Sequence, residues 1–221
     1  MAIRQYHFTI RLPRKYTKII NYLKPLQGNE WDCKVSELRK KKYGTGARRD
    51  ELKGLIRTHL EKRQGHHCAF CGLDLRTRGA QIEHIAPKAA RLYPQFMWES
   101  KNLILACPLC NGFTKKSTYD SIDILDAQYR NCTFKIVHPY FDDPNMHFEY
   151  VTHPNTGLAF LIKARLIKGV PSAQGAKSIE LFGLKEPEMT EERYKDALAN
   201  SLPVPNFDAL IQEVTNKGYV S

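Results

Sequence analysis

The chain has 221 residues, 42% of them hydrophobic, which is ordinary for a globular protein and unlike a disordered segment. That length allows one full domain or two small ones, with a buried core that needs no cross-links. No apolar run approaches the roughly 18–20 residues of a membrane span, and Met1 to Leu12 alternates in polarity without the apolar stretch of a signal peptide, so a cytoplasmic chain with no membrane partner is expected.

The formal net charge is +11. Residues 1–66 hold 17 Lys/Arg against 6 Asp/Glu, whereas residues 67–221 hold 17 of each. The whole excess therefore sits in the first third, where it reads either as a phosphate-binding surface or as a solvated helical face.

In chain order, Tyr6, Phe8, Ile10 and Leu12 share one parity, and this period of two predicts a strand over 5–12. Ile19, Ile20, Leu23 and Leu26 fall at helical spacing within Tyr16 to Leu26. Residues 38–49 are basic, carry two glycines and read as a loop or poorly packed arm. Arg49 to Gln64 places Leu52, Leu55, Ile56 and Leu60 on one face of an amphipathic helix. Short β-like runs at 81–86 and 102–106 flank a long loop, and a helix is expected from Cys107 to about Lys116. Residues 133–163 look β-rich, although Val137 and His138-Pro139 end the first run. Asp142 to Asn145 reads as a turn. His147–Val151 and Leu158–Ile162 are spaced as a hairpin, and 190–200 and 207–217 as closing helices.

Six cysteines are present, and four form two CxxC pairs, Cys68/Cys71 and Cys107/Cys110, separated by 35 residues. In a reducing compartment such pairs favour zinc over disulfides. Four thiolates close a tetrahedral shell, which makes a structural site with no position left for a substrate. The alternative is a set of buried free cysteines, the reading given to Cys33 and Cys132.

Between and just after these pairs come Glu83-His84-Ile85-Ala86-Pro87, then Asn102, then Asn111 directly behind Cys110. The nested order CxxC, EHIxP, NLxxxCxxCN resembles the HNH (ββα-metal) endonuclease family over roughly residues 66–117. The resemblance implies hydrolysis of phosphodiester bonds. His84 would be the general base, a role its ordinary pKa near 6.5 suits. Glu83 and the Asn111 side-chain oxygen would hold Mg²⁺ or Mn²⁺, and Asn102 would brace the loop that bears the base. Glu83 stands where Asp or His is commoner in the family. Strand alternation points Glu83 and His84 to opposite faces, so one site can use both only if the strand ends or twists there. Lys115, Lys116 and His67 are candidate nucleic-acid contacts.

His138 to Pro144, His147 and Lys177 to Leu184 are similar to the HNH subunits of Septu-type and retron-associated bacterial anti-phage defence systems. That similarity implies a partner ATPase. His138, Asp142, Asp143 and His147 admit a second-metal reading, against which a proline-bracketed turn is preferred. The expected organisation is an α+β chain in three parts. A basic, mostly helical N-terminal region (1–65) precedes a ββα-metal core with a structural zinc knuckle (66–120), and a β/α region (121–221) serves substrate or partner contacts. The expected function is a metal-dependent nuclease, with DNA favoured as target and RNA the alternative. A zinc-supported nucleic-acid-binding module without catalysis and a nuclease that works only with its partner ATPase are the competing readings.

Overall fold

The computed structural model describes residues 2–32, 45–112, 116–152, 154–155, 157 and 159–201. It is a mixed α+β chain. Its elements are α1 (Arg14–Leu23), α2 (Thr45–Gln64), α3 (Leu75–Arg78), β1 (Gln81–His84), β2 (Leu103–Ala106), α4 (Pro108–Asn111), β3 (Ile122–Ile124) and β4 (Thr133–Phe134). After these come α5 (Pro144–His147), β5 (Phe148–Thr152), β6 (Ala159–Ala164), β7 (Leu166–Ile167), β8 (Val170–Pro171), α6 (Ala173–Phe182) and α7 (Pro187–Ser201). The strands pair consecutively and antiparallel as β1–β2, β3–β4, β5–β6 and β7–β8. No helix among the described residues is long and apolar enough to cross a membrane.

One hydrophobic cluster runs from Ile3 to Met189 and takes residues from all three sequence regions. Its centre is the contact of α2 with the β1–β2 hairpin. Leu52, Ile56 and Leu60, four apart on one face of α2, are fully buried, as the amphipathic pattern requires. At the end of this helix the Gln64 side chain accepts from Leu105 N at 2.8 Å and donates to Leu105 O at 2.7 Å. The buried amide thus pairs with β2 as a further strand would. It also donates to His67 O at 2.7 Å, which aims the chain into the first CxxC turn.

Several expectations are corrected. Residues 5–12 do alternate, with Tyr6, Phe8 and Ile10 buried, but they join no ladder among the described residues. Their backbone bonds go instead to scattered partners, Pro139 O from Tyr6 N and Ser100 Oγ from Ile10 N. The period of two reports burial here, not strand pairing. Within 38–49, residues 45–49 belong to α2, anchored by the buried Arg49, whose guanidinium donates to Asp50 and to Glu30 O; residues 38–44 lie outside the described set, as does the helix expected at 207–217. The helix after Cys107 is the single turn α4, followed at Lys116 by a turn. The helix α6 was not anticipated from the pattern. Its boundaries carry ordinary signals: Ser172 accepts from Gly175 N at 3.1 Å, and Gly183 adopts the left-handed conformation at the far end.

Candidate functional site

The two CxxC pairs meet. Cys68, Cys71, Cys107 and Cys110 are all buried, and their sulfur atoms lie within 4.8 Å of one another. Tetrahedral thiolates around zinc, at Zn–S of about 2.3 Å, sit about 3.8 Å apart along each edge; Cys71 Sγ and Cys107 Sγ are 3.8 Å apart. The first turn is closed by Gly72 N donating to Cys68 O at 2.9 Å, with Gly72 at φ +77° and packed against the Ala2 backbone, a position that needs glycine. Cys107 N donates to Cys68 Sγ at 3.3 Å, so the second turn is braced on the first. With thiols alone, the group favours one thiolate: Cys107 is pushed far down by hydrogen bonds from Cys110, Cys68 and Cys71, while bonding to Cys107 pushes Cys71 and Cys110 up. Four thiolates in this buried space require a cation, and zinc fits the donor set and its spacing. Among the described residues this is the only group of three or more His, Cys, Asp or Glu side chains placed to hold a metal.

The same hairpin borders an open cleft of ≈ 600 Å³ lined in part by Gln81, Glu83, His84, Asn111, Trp31, Asp32 and Lys88. Glu83, His84 and Asn111 therefore reach one space. Strand alternation does not keep Glu83 and His84 apart because β1 ends at His84 and the cleft wraps around that end.

His84 is 4% exposed. Its Nε2 lies 3.1 Å from Met97 O. A carbonyl only accepts, so Nε2 carries the proton and Nδ1 keeps the lone pair, with no partner among the described residues. Trp31 meets the imidazole edge-on at 4.6 Å between centroids. Burial, and then the charges of Lys88 and Lys116, hold His84 well below its ordinary pKa, so the ring is neutral near pH 7.

Glu83 is paired with Lys116, whose Nζ lies 2.8 Å from Glu83 Oε1 and 2.7 Å from the His84 carbonyl. Lys116 is fully buried. Its expected role as an outward phosphate contact is thus corrected, because its ammonium faces inward and counters Glu83. Asn111 Nδ2 donates to Gln81 Oε1 at 2.7 Å, which turns the amide so that Oδ1 is the atom left over. Glu83 Oε2 and Asn111 Oδ1 are two oxygens of the kind a hard divalent cation takes, on residues that line one open cleft. Asn102 does not line the cleft. It is buried behind it, with Oδ1 accepting from Ala86 N and Nδ2 donating to Ala86 O and Phe96 O. His67 is also apart from the cleft. Its Nδ1 is buried without a hydrogen-bond partner among the described residues, and burial lowers its pKa. Lys115 lies outside the described residues.

Trp31, Asp32 and Lys88 were missed from the sequence. Asp32 and Lys88 form a 2.6 Å ion pair across the cleft mouth, and nothing in their spacing marks residues 56 apart as neighbours. His138 opens the proline-bracketed turn, its carbonyl accepting from Phe141 N at 3.2 Å and Asp142 N at 3.0 Å, with Asp143 exposed, and its ring is not placed to hold a metal among the described residues. It is wholly buried, stacked on Phe141 with centroids 4.1 Å apart, and Asp142 accepts from its backbone N rather than from its ring. Asp143 caps α5, and His147 Nδ1 pairs with Ser172 Oγ at 2.8 Å.

No protein-family model matches the chain. It is 26% identical over 159 residues to the Septu protein PtuB of Bacillus mycoides (strain KBAB4), an alignment covering 64% of this chain and 50% of that protein. It is also 26% identical over 139 residues to the Septu protein PtuB of Bacillus thuringiensis, covering 62% of this chain and 46% of the relative. The chain spans about half the length of the curated relatives it matches, and its similarity to the Septu protein PtuB is distant.

Proposed function

We propose that the chain is a metal-dependent HNH endonuclease of a Septu-type anti-phage defence system, with DNA as the favoured substrate and RNA the alternative. The observation that carries this reading is the state of His84. A neutral imidazole with its Nδ1 lone pair unclaimed stands in the same cleft as Glu83 and Asn111. In that state Nδ1 accepts a proton from a water directed at a phosphodiester. Glu83 Oε2 and Asn111 Oδ1 would hold Mg²⁺ or Mn²⁺, which supplies charge neutralisation at the phosphate when bound. The zinc held by Cys68, Cys71, Cys107 and Cys110 anchors the hairpin and takes no part in the reaction.

Similarity to PtuB supports a place in a Septu defence system, and the partner ATPase is what the resemblance of residues 138–147 and 177–184 to Septu-type subunits implies. A specific observation favours gating by that partner. Trp31 packs edge-on against His84 and Lys116 holds Glu83 Oε1, so a partner that shifts either group would reset the cleft.

The test incubates the purified chain with plasmid DNA, single-stranded DNA and total RNA, each with Mg²⁺, Mn²⁺ or EDTA, beside His84→Ala. Metal-dependent cutting that disappears in His84→Ala is the expected result. Cutting that survives in the variant removes His84 from the role of base. If neither the chain alone nor its native complex cuts, a zinc-supported binding module is left.

A further inference from the structure

Behind the cleft, a line of buried polar groups runs from the C-terminal region to the loop beside His84. Tyr140 N donates to His138 Nδ1 at 3.1 Å. The ring's proton is therefore on Nε2, which lies 3.0 Å from the Tyr129 hydroxyl. A hydroxyl that accepts from His138 directs its own proton to Asn102 Oδ1, at 2.9 Å. The same Oδ1 accepts from Ala86 N at 2.6 Å, while Asn102 Nδ2 donates to Ala86 O at 3.1 Å and to Phe96 O at 2.9 Å. One amide thus ties both ends of the 86–96 loop. Met97, the next residue, supplies the carbonyl that holds His84 Nε2.

Each donor and acceptor along this line has a single assignment. The ends are fixed by backbone groups, Tyr140 N–H at one and the Ala86 amide at the other, and these cannot exchange roles. Asn102, His138 and Tyr129 are all buried, so reversing any member strands a polar atom away from water, which is unfavourable. A loop pinned by such a network has one conformation rather than several.

We propose that Tyr129 and His138 are positioning residues for the general base: acting through Asn102, they fix the 86–97 loop so that the Met97 carbonyl holds His84 with Nδ1 available to the cleft. The proposal rests on the reading of His84 as base, and it gives residues 129–140 a role in the cleft that they do not touch. A solely structural role for the network would leave the tautomer of His84 unaffected by a change at Tyr129.

The experiment uses the full zinc-loaded chain labelled with ¹⁵N-histidine, at neutral pH, as wild type and Tyr129→Phe. In the wild type, His138 and His84 are each expected as a single neutral Nε2–H tautomer. In Tyr129→Phe, His84 is expected to become a tautomer mixture, with kcat for cleavage down about 10- to 100-fold, KM little changed and zinc content unchanged. An Nδ1–H tautomer at His138 in the wild type, or unaltered His84 ring-nitrogen shifts in Tyr129→Phe, would overturn the proposal. Should Tyr129→Phe fail to fold, His138→Gln keeps a donor for Tyr129 and an acceptor for Tyr140 N, whereas His138→Leu keeps neither. The proposal expects His84 to be preserved in the first and mixed in the second, and identical His84 spectra in the two overturn it. A wild type that cuts no nucleic acid sinks the nuclease reading alone, since the tautomer measurements still decide the positioning claim.

Discussion

The β1–β2 hairpin serves two sites with opposite designs. The four-cysteine cluster is buried, its sulfur atoms converge on one point, and together they fill every position of a tetrahedral shell. The cleft is open, and its polar groups each keep one atom unengaged among the described residues: Glu83 Oε2, His84 Nδ1 and Asn111 Oδ1. A closed shell fixes geometry and excludes exchange, whereas an open one leaves room for water, metal and phosphate. Placing both on one four-residue ladder lets the first hold the second still.

The largest effect expected from breaking this arrangement comes from the closed side. Structural zinc contributes roughly 10–16 kcal/mol in zinc-finger peptides, comparable with or above the roughly 5–15 kcal/mol net stability of a domain. Cys107→Ser is therefore expected to abolish zinc retention and the cooperative thermal transition, measured by metal analysis and calorimetry. Retention of both would show that the cluster is not the clamp. On the open side, His84→Ala is expected to reduce cleavage by about 10²–10⁴-fold with zinc content unchanged. The two variants should thus separate completely, one losing the fold and the other the chemistry.

The sequence made one of these sites far more legible than the other. Cysteine spacing encodes a ligand set directly, because two tight turns and four thiolates have few other uses. Glu83, His84 and Asn111 were also findable, since they lie within a short, ordered motif beside those turns. What surrounds them was not. Trp31 and Asp32 reach the cleft through tertiary packing across more than fifty residues, and Lys116 reads as a surface cation until its buried pair with Glu83 is seen. Tyr129 and His138 belong to a network whose meaning depends on hydrogen-bond direction, which residue type does not carry. The fold shows the same division. The face of α2 and the hairpins β1–β2 and β5–β6 follow from periodicity. The N-terminal alternation predicts burial correctly and pairing wrongly, because its backbone partners are irregular loops.

A smaller effect sharpens the open side. Lys116 is fully buried, and the Glu83 side chain is 12% exposed. Removing one member of a buried pair leaves an uncompensated charge, with a cost of about 3–5 kcal/mol, and the partial exposure of Glu83 places this case at the lower end. Lys116→Met is expected to lower the urea midpoint accordingly. Lys116→Met/Glu83→Gln should recover part of that loss, because the stranded carboxylate is gone. Additive losses would mean that the pair does not hold the cleft floor.

The smallest effect concerns the wall behind the cleft, which is as dry as the cysteine cluster. Burial, and then the charge of Lys101, push His138 down to about 3. Between that value and the ordinary pKa near 6.5, the unfolded chain takes up a proton that the folded chain refuses. Stability from this residue is therefore complete above about pH 6.5 and falls as pH drops toward 3, by at most about 1.4 kcal/mol per pH unit. His84 and His67, also held low, act in the same direction, so the His138 share must be read as a difference. In urea titrations between pH 7 and pH 5, His138→Gln should show a shallower decline than wild type, because glutamine cannot titrate. Equal slopes would mean that the wall admits a proton or water in the folded state. The Tyr129–Asn102 line would then lack the dryness that keeps its hydrogen bonds directional.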